Sequence, residues 1–161
     1  MSYDELRDHA RSVIDSNRYM ALGTTDEAGH PWVSPVWFAC EDYRNFYWVS
    51  SHDSKHSRNI DARPEVAIAI FDSSVPVGAA QAVYMKGRAT ELTGEVLERG
   101  LEVFDRVSRR DIGRPWGLDE VGGAALFRLY CAQVSEHWVL IPGRDPERGS
   151  GVDRSEQVSV D

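Results

Sequence analysis

The feature that most constrains the fold is a series of strand candidates separated by short turns. Residues 19–25 and 31–40 flank a turn at residues 26–29, and a second turn at residues 41–45 precedes a strand candidate at residues 46–49. Runs of aromatic and β-branched residues joined by such turns are typical of neighbouring antiparallel strands. The first third of the chain therefore predicts an antiparallel meander.

Three further strand candidates follow at residues 65–71, 80–92 and 124–141, the last as two strands or one long bent strand. Apolar residues at helical spacing predict one amphipathic helix near the N-terminus and another after Thr93. Pro35, inside the second strand candidate, favours an edge position, a bulge or a ligand-facing position for that strand. Six or seven antiparallel strands with peripheral helices predict a mainly β (α+β) fold built on a small β-barrel.

The overall composition restricts the partners and the compartment. A net charge of −8 argues against nucleic acid or an anionic membrane as a partner, because both require basic surfaces. No apolar run is long enough to span a bilayer, and Asp4, Glu5 and Asp8 stand where a signal peptide would need an apolar stretch. We therefore expect a cytoplasmic protein with one domain at residues 1–142 and a flexible, Gly-, Ser- and charge-rich tail at residues 143–161.

Residues 46–64 contain the one local pattern that indicates a ligand. A strand leads into a hydroxyl-rich turn, and a short helix over residues 55–62 follows, capped by Asp53 or Ser54. Pro64 stops this helix, because the residue before a proline is biased away from helical geometry.

Basic residues crowd the start of this helix, where free backbone N–H groups already present partial positive charge. Lys55, His56 and Arg58 lie in its first turns. Hydroxyls, free N–H groups and cations at a helix start are what a bound phosphate or another anion needs. The alternative is a solvated basic helix whose charge Asp53 offsets.

Other site chemistry finds less support in the sequence. His52 and His56 are four residues apart, as in helical metal-ligand pairs, but no acidic or Cys ligand has matching spacing, so we expect no metal site. Cys40 and Cys131 form no CxxC pair and have no nucleophile pattern around them. The residues by themselves identify no catalytic group.

Four tryptophans and one glutamine on strand candidates indicate a flat ligand. Trp32, Trp37, Trp48 and Trp138 serve either as core and interface residues or as walls for a cofactor ring. Gln81 is either a plain strand-end residue or a hydrogen-bonding group for a heterocycle. Together with the basic helix start, these residues favour a phosphate-bearing aromatic cofactor.

Taken in order, the segments GHPWVSPVWF, FYWVSSHDSKHSRNI, PEVAIAIFD and QAVYMKGRATEL resemble the pyridoxamine 5′-phosphate oxidase-like, FMN-binding split β-barrel proteins. The similarity runs from residue 19 to residue 92 and more loosely to residue 141. It implies a homodimer of six-stranded antiparallel split β-barrels with peripheral helices. It also implies one flavin in each of two clefts between the subunits.

By position, the resemblance implies a set of cofactor-binding residues. Lys55 and His56 occupy the family's paired basic phosphate positions, with the Ser54 hydroxyl beside them. Gln81 matches a glutamine that contacts the flavin, and Trp138 resembles a tryptophan that reaches the flavin from the partner subunit. The remaining positions lie on two strands along the ring and the ribityl chain: Ser34, Pro35, Val36, Trp37, Val49 and Ser50.

The sequence departs from the true oxidases of this family. Ser34 and Ala39 stand where those enzymes carry an Arg and a Lys, and the C-terminal Arg-x-His-Asp-Arg substrate signature is absent. Because the lost Arg is a permanent bidentate cation, a phosphate-bearing substrate would lose a partner, and we do not expect pyridoxamine 5′-phosphate oxidase activity. His56 in place of the family's Lys makes the charge of the site depend on pH near neutrality.

The sequence thus predicts an FMN-binding homodimer that acts as an oxidoreductase on a small-molecule substrate. In this hypothesis the flavin carries the hydride, while the protein orients the ring and excludes water. A close variant binds the deazaflavin F420 in the same cleft. The alternatives are a non-catalytic protein that stores or senses flavin or haem, with His137 or His52 as axial ligand, and a structural dimer with a vestigial cleft.

Overall fold

Eight antiparallel strands and three α-helices make up the computed structural model, which describes residues 2–161. The mainly β architecture is the one predicted. In chain order the elements are α1 (Tyr3–Asp15), β1 (Tyr19–Thr25), β2 (Pro31–Trp37), β3 (Ala39–Glu41), β4 (Asn45–Ser51), α2 (Lys55–Ala62), β5 (Glu65–Phe71), β6 (Ala82–Glu91), α3 (Gly94–Ile112), β7 (Phe127–Ile141) and β8 (Arg154–Val158).

The strands form one curled sheet in the order β2-β1-β5-β6-β7-β4-β3, with β8 paired to β7. The curl brings β2 close to β4, as expected for a split β-barrel. β2 is an edge strand, and its Pro35 lies opposite Ala21. The edge position explains why the proline is tolerated, since an edge strand leaves one row of backbone groups unpaired.

The inner face of the sheet encloses the main core. Trp48 stacks on Tyr130 across the β4–β7 pair, with ring centroids 5.7 Å apart. The apolar stripe of α1, represented by Leu6 and Ile14, closes one side of this core. A capping box formed by Ser2 and Glu5 begins α1.

A second apolar cluster forms where α3 packs on the outside of β4 and β7. Phe104 of α3 is fully buried there, together with Tyr47 and Leu129 of the strands. The helix runs as far as Ile112, and Gly113 ends it in the left-handed conformation.

One bulge interrupts the ladder between β6 and β7, next to Gly87. A Cβ at this position would lie 2.4 Å from the carbonyl oxygen of Gln133, so only glycine fits without a backbone shift. The bulge lets β7 run as one bent strand from Phe127 to Ile141, which is one of the two forms predicted for this segment.

Two predictions from the sequence were wrong: the number of strands and the disorder of the C-terminal segment. The residues predicted six or seven strands and the family resemblance implied six, but the short β3 and β8 raise the number to eight among residues 2–161. Residues 143–161 were expected to be mostly disordered, yet β8 pairs with β7, and Val158 and Val160 are buried. Residues 143–161 contain few apolar side chains, but two valines near the end of this segment are enough to reach the main core.

No helix among residues 2–161 is long and apolar enough to cross a bilayer.

Candidate functional site

Hydrogen bonds of serine and asparagine side chains attach the start of α2 to the barrel. Ser54 caps the helix, since its Oγ accepts a hydrogen bond from the Ser57 N–H at 3.3 Å. The Ser54 hydroxyl also donates to Ser57 Oγ at 2.8 Å, and Ser57 Oγ donates to the Ser51 carbonyl at 2.8 Å. On the next turn, Asn59 Nδ2 donates to Thr24 Oγ1 of β1 at 3.0 Å. These contacts fix the direction in which the first backbone N–H groups of α2 point.

His56 joins this helix start to two strands. Its Nε2 lies 2.7 Å from Ser50 Oγ of β4, and its Nδ1 lies 3.2 Å from Ser34 Oγ of β2. Ser34 and His56 are 22 positions apart in the chain. The structure therefore brings together five of the predicted cofactor-binding residues, here called the anion site: Ser34, Ser50, Ser54, Lys55 and His56.

Trp32 of β2, one of the four tryptophans considered as core residues or as cofactor walls, contacts the anion site directly. Its Nε1–H donates to Ser34 Oγ at 2.9 Å, and the Lys55 ammonium nitrogen lies 4.2 Å from the centroid of its ring. A cation over an indole face is attracted by the ring quadrupole. The sequence contained one indication of this contact: Trp32 and Ser34 are two positions apart on a strand, and such residues share a face.

The two basic residues of the site differ in exposure and in their tendency to carry a charge. Lys55 is exposed, whereas His56 is half-buried. Burial lowers the pKa of His56, because the imidazolium form loses hydration, and no neighbouring charge offsets this effect. The site thus combines one cation at its rim with a second basic group that favours the neutral form.

Three other predicted cofactor residues direct their side chains elsewhere. Val36 is buried in the main core, and Val49 packs in the α3 cluster. The Trp37 indole N–H donates to Asp111 Oδ2 at 2.9 Å, and its ring meets Phe104 edge to face at 5.0 Å. From these positions only the backbone of β2 and β4 can face a ligand at the anion site.

A shallow apolar recess of about 440 Å³ lies on the outer face of the sheet. Trp138 of β7 is on this face beside Tyr84 of β6, and the Lys86 ammonium nitrogen lies 5.2 Å from the centroid of the Trp138 indole. Pro35 is exposed on β2, the edge strand of the same sheet. Gln81 lies outside the recess, in the loop before β6, and lines a smaller cavity with Leu140.

The two histidines considered as haem ligands are in different surroundings. His137 is buried, and its Nε2–H donates to the Tyr43 carbonyl at 2.7 Å. His52 is exposed, with its Nε2 at 3.4 Å from Asp53 Oδ1. Within residues 2–161, His, Cys, Asp and Glu side chains form no group of three that could hold a metal ion.

The family model described as pyridoxamine 5′-phosphate oxidase matches residues 6–116, about two thirds of the chain. The chain belongs to this family. The match covers most of α1 and all elements from β1 to α3, so it includes the whole anion site. The sequence matches no curated protein.

Solved structures share the fold at low sequence identity. The haem storage protein HutZ from Vibrio cholerae has a TM-score of 0.68 and 20% identity, with 89% of this chain and 99% of that chain covered. A haem-binding protein from Mycobacterium smegmatis gives 0.65 and 20%, and ChuZ from Campylobacter jejuni gives 0.71 and 17%. These matches cover 94% and 97% of this chain but only 57% and 61% of those longer chains. At these identities the likeness concerns the fold.

Proposed function

We propose that this protein is a homodimeric flavoprotein that binds FMN through the anion site and serves an oxidoreductase reaction on a small substrate. The observation that carries the proposal is the convergence of Lys55, His56 and two strand hydroxyls on the capped start of α2. A phosphate needs this combination of cations, O–H donors and free backbone N–H groups. A bound flavin would supply the redox chemistry.

The donor set of the anion site fits a phosphate better than it fits a metal or a nucleophile. Its side chains are hydroxyls, an ammonium and an imidazole, and it includes no carboxylate. The hydroxyl of Ser54 already caps α2 and donates to Ser57, so we assign it to positioning the helix. Ser34, Ser50, Lys55 and the backbone of α2 remain for the ligand.

We propose that the recess on the outer face of the sheet contacts the flat ring system of the ligand. An apolar surface with an indole at one end suits an aromatic ring system. We propose that a second copy of the chain covers this face, since the family resemblance implies clefts between two subunits. In that arrangement Trp138 of one subunit faces the ligand held by its partner, and the same cleft would accept F420.

A second candidate function is haem storage or transport without catalysis. Two proteins that share this fold carry haem binding or haem storage in their names, and this observation favours the candidate. Of the two histidines considered, His137 would have to give up its hydrogen bond to Tyr43, whereas His52 is free to rotate toward solvent. The helix start could also hold a haem propionate, but a propionate has one charge and two oxygens, whereas a phosphate can use the cation, the O–H donors and the free N–H groups together, so we place FMN first.

The absorption spectrum of the freshly purified protein separates these candidates. Two bands in the visible and near-ultraviolet region, with FMN released on heating and identified by mass, are expected. A single deazaflavin band would indicate F420, and a Soret band would indicate haem. A colourless protein that takes up none of these compounds would contradict all three.

The double variant K55A/H56A is expected to lose FMN while remaining folded. It removes the charge-assisted contact of Lys55, worth about 1.5–3 kcal/mol, and the ring that holds the Ser34 and Ser50 hydroxyls, so binding should weaken by at least tenfold. FMN affinity is measured by quenching of flavin fluorescence, and folding by circular dichroism.

The matched control for this experiment is R106A, which removes one positive charge from an exposed position of α3. It should leave FMN affinity within about twofold of the wild type, because exposed charges far from a site are screened by salt. Full FMN occupancy in K55A/H56A would remove the phosphate-site proposal.

A further inference from the structure

We propose that His56 is a proton-dependent positioning residue, and that its protonation turns the hydroxyl hydrogens of Ser34 and Ser50 toward the bound anion. The inference rests on the proposed function, in which this anion is the cofactor phosphate. It goes further by making anion binding consume a proton. His56 itself need not touch the anion.

The argument starts from the number of hydrogen bonds each group can form. A serine hydroxyl has one hydrogen to donate and accepts two hydrogen bonds, and a neutral imidazole has one N–H donor and one acceptor nitrogen. Both ring nitrogens of His56 are already within hydrogen-bond distance of a serine oxygen. The imidazole therefore has no free nitrogen for a ligand in this conformation.

When His56 is neutral, one of the two serines must donate its hydrogen to the ring. If Nδ1 carries the proton, it donates to Ser34 Oγ, and Ser50 donates to Nε2. If Nε2 carries the proton, Ser50 accepts, and Ser34 donates to Nδ1. In each tautomer only one serine keeps a hydrogen for an anion.

Trp32 further limits the directions in which the Ser34 hydroxyl hydrogen can point. Its indole N–H always donates, so it occupies one of the two acceptor positions of Ser34 Oγ at 2.9 Å. If His56 Nδ1–H fills the second acceptor position, the hydroxyl hydrogen of Ser34 has to point away from both partners. The direction left to it is outward, toward a third group.

Protonation of His56 gives both ring nitrogens a hydrogen. Each nitrogen then donates, each serine oxygen accepts, and both hydroxyl hydrogens become available to an anion. The site gains one positive charge and one additional O–H donor in a single step. A bound anion in turn stabilises the imidazolium, because opposite charges at short distance favour the charged form.

Among the described residues, no charged side chain around His56 is hydrogen-bonded to its ring, so we assign stabilisation of the imidazolium to the bound anion. The strands β1, β2 and β4 carry no acidic or basic side chain other than Tyr residues, so no carboxylate on them can hold the imidazolium. Charged and titratable side chains on the other surrounding elements are Lys55, Arg58 and Asp61 on α2, His52 and Asp53 before it, Lys86, Arg88 and Glu91 on β6, and Arg128 on β7 opposite Ser50. None of them is hydrogen-bonded to His56, and burial lowers its pKa. Without an anion the ring therefore favours the neutral form.

The test measures sulfate and FMN affinity between pH 5.5 and pH 8.5. Sulfate is a dianion throughout this range, whereas a phosphate ester changes its own charge with a pKa near about 6. The proteins compared are the wild type, H56K with a permanent cation, and H56Q with a neutral group. Calorimetry gives the dissociation constants, and the His56 ring proton, identified by its loss in H56Q, reports the protonation state by NMR.

For the wild type, the dissociation constant of sulfate is expected to rise by up to about tenfold per pH unit between the His56 pKa of the free protein and that of the complex, because one proton is taken up with the anion in this range. H56K should bind with no such slope, and H56Q should bind weakly at every pH. The NMR titration should show a higher His56 pKa with sulfate or FMN bound.

Two results would overturn the inference. A wild-type slope equal to that of H56Q, with FMN still bound through Lys55, would leave the proposed function standing and remove the role of His56. Failure of the wild type to bind either sulfate or FMN at any pH would contradict both the inference and the phosphate site.

Discussion

Asp111, near the end of α3, shows how one buried carboxylate connects distant parts of the chain. Its oxygens accept hydrogen bonds from Arg110 Nε at 2.7 Å, Trp37 Nε1 at 2.9 Å and Arg18 Nε at 3.2 Å. Only 4% of the side chain is exposed. The pKa of Asp111 lies well below its usual range. The largest cause is the hydrogen bond from the Arg110 guanidinium, and the bonds from Trp37 and Arg18 add to it. This carboxylate ties α3 to the strands that carry the anion site.

The variant D111N is expected to lose about 2 kcal/mol of unfolding free energy at pH 7, because hydrogen bonds from charged donors lose their charged acceptor. Since the folded pKa is depressed, the stabilisation is present above the unfolded pKa of about 3.9 and disappears as the pH falls through the folded value. Urea unfolding at pH 7 and pH 3 should show the gap to wild type narrowing at the lower pH. E102Q, an exposed charge removal on the same helix, should show no such gap.

At the scale of elements, β8 attaches the C-terminal segment to the body of the protein. Its five residues pair with His137 to Ile141 of β7, and Arg11 of α1 donates to the Val160 carbonyl through Nη2 at 2.6 Å. Two buried valines follow each other at alternate positions, as a strand and its continuation require. The segment is therefore part of the main core.

The variant V158A is expected to destabilise the protein by about 2 kcal/mol, because it removes two buried methyl groups and leaves a cavity. For a chain of this size this lowers the melting temperature by about 4–8 °C in a thermal unfolding experiment. V152A is the control, since Val152 lies in the same segment with 69% of its surface exposed. Equal melting temperatures for the two variants would mean that β8 is not docked in solution.

At the scale of the whole molecule, residues 2–161 leave the outer face of β1, β5 and β6 uncovered, whereas α3 covers the outside of β4 and β7. Ala21, Ala69 and Tyr84 lie side by side across β1, β5 and β6 and form its centre. Small residues in the middle of an apolar face permit close approach of another surface, and exposed patches of this kind mark interaction sites. This supports the proposal that two copies of the chain form the complete cofactor cleft.

The variant A69D is expected to convert a dimer into a monomer, because it places an unpaired charge at the centre of the proposed interface. Light scattering after size exclusion should show the mass falling from two chains to one, with the far-ultraviolet circular dichroism retained. V77D adds the same charge on an exposed loop and should remain dimeric. A wild type that is monomeric at micromolar concentration would contradict the dimer.

The sequence by itself determined those features whose causes lie within a few residues. The predicted bounds of α2 and its basic start are confirmed. The structure selects Ser54 from the two predicted caps and the edge from the three positions predicted for β2. Hydrogen bonds to the helix cap and the missing proline N–H act locally, so a single sequence is enough to predict them.

Tertiary structure decided the features that depend on which distant residues meet. The contact between Ser34 and His56, the role of Trp32, the direction of Trp37 toward Asp111 and the docking of Val158 each join separate elements. Strand order and register fix such contacts, and a shift of one residue would turn every side chain to the opposite face. The positions that make up the anion site were visible in the sequence, but their hydrogen bonds were set by the way the sheet curls around α2.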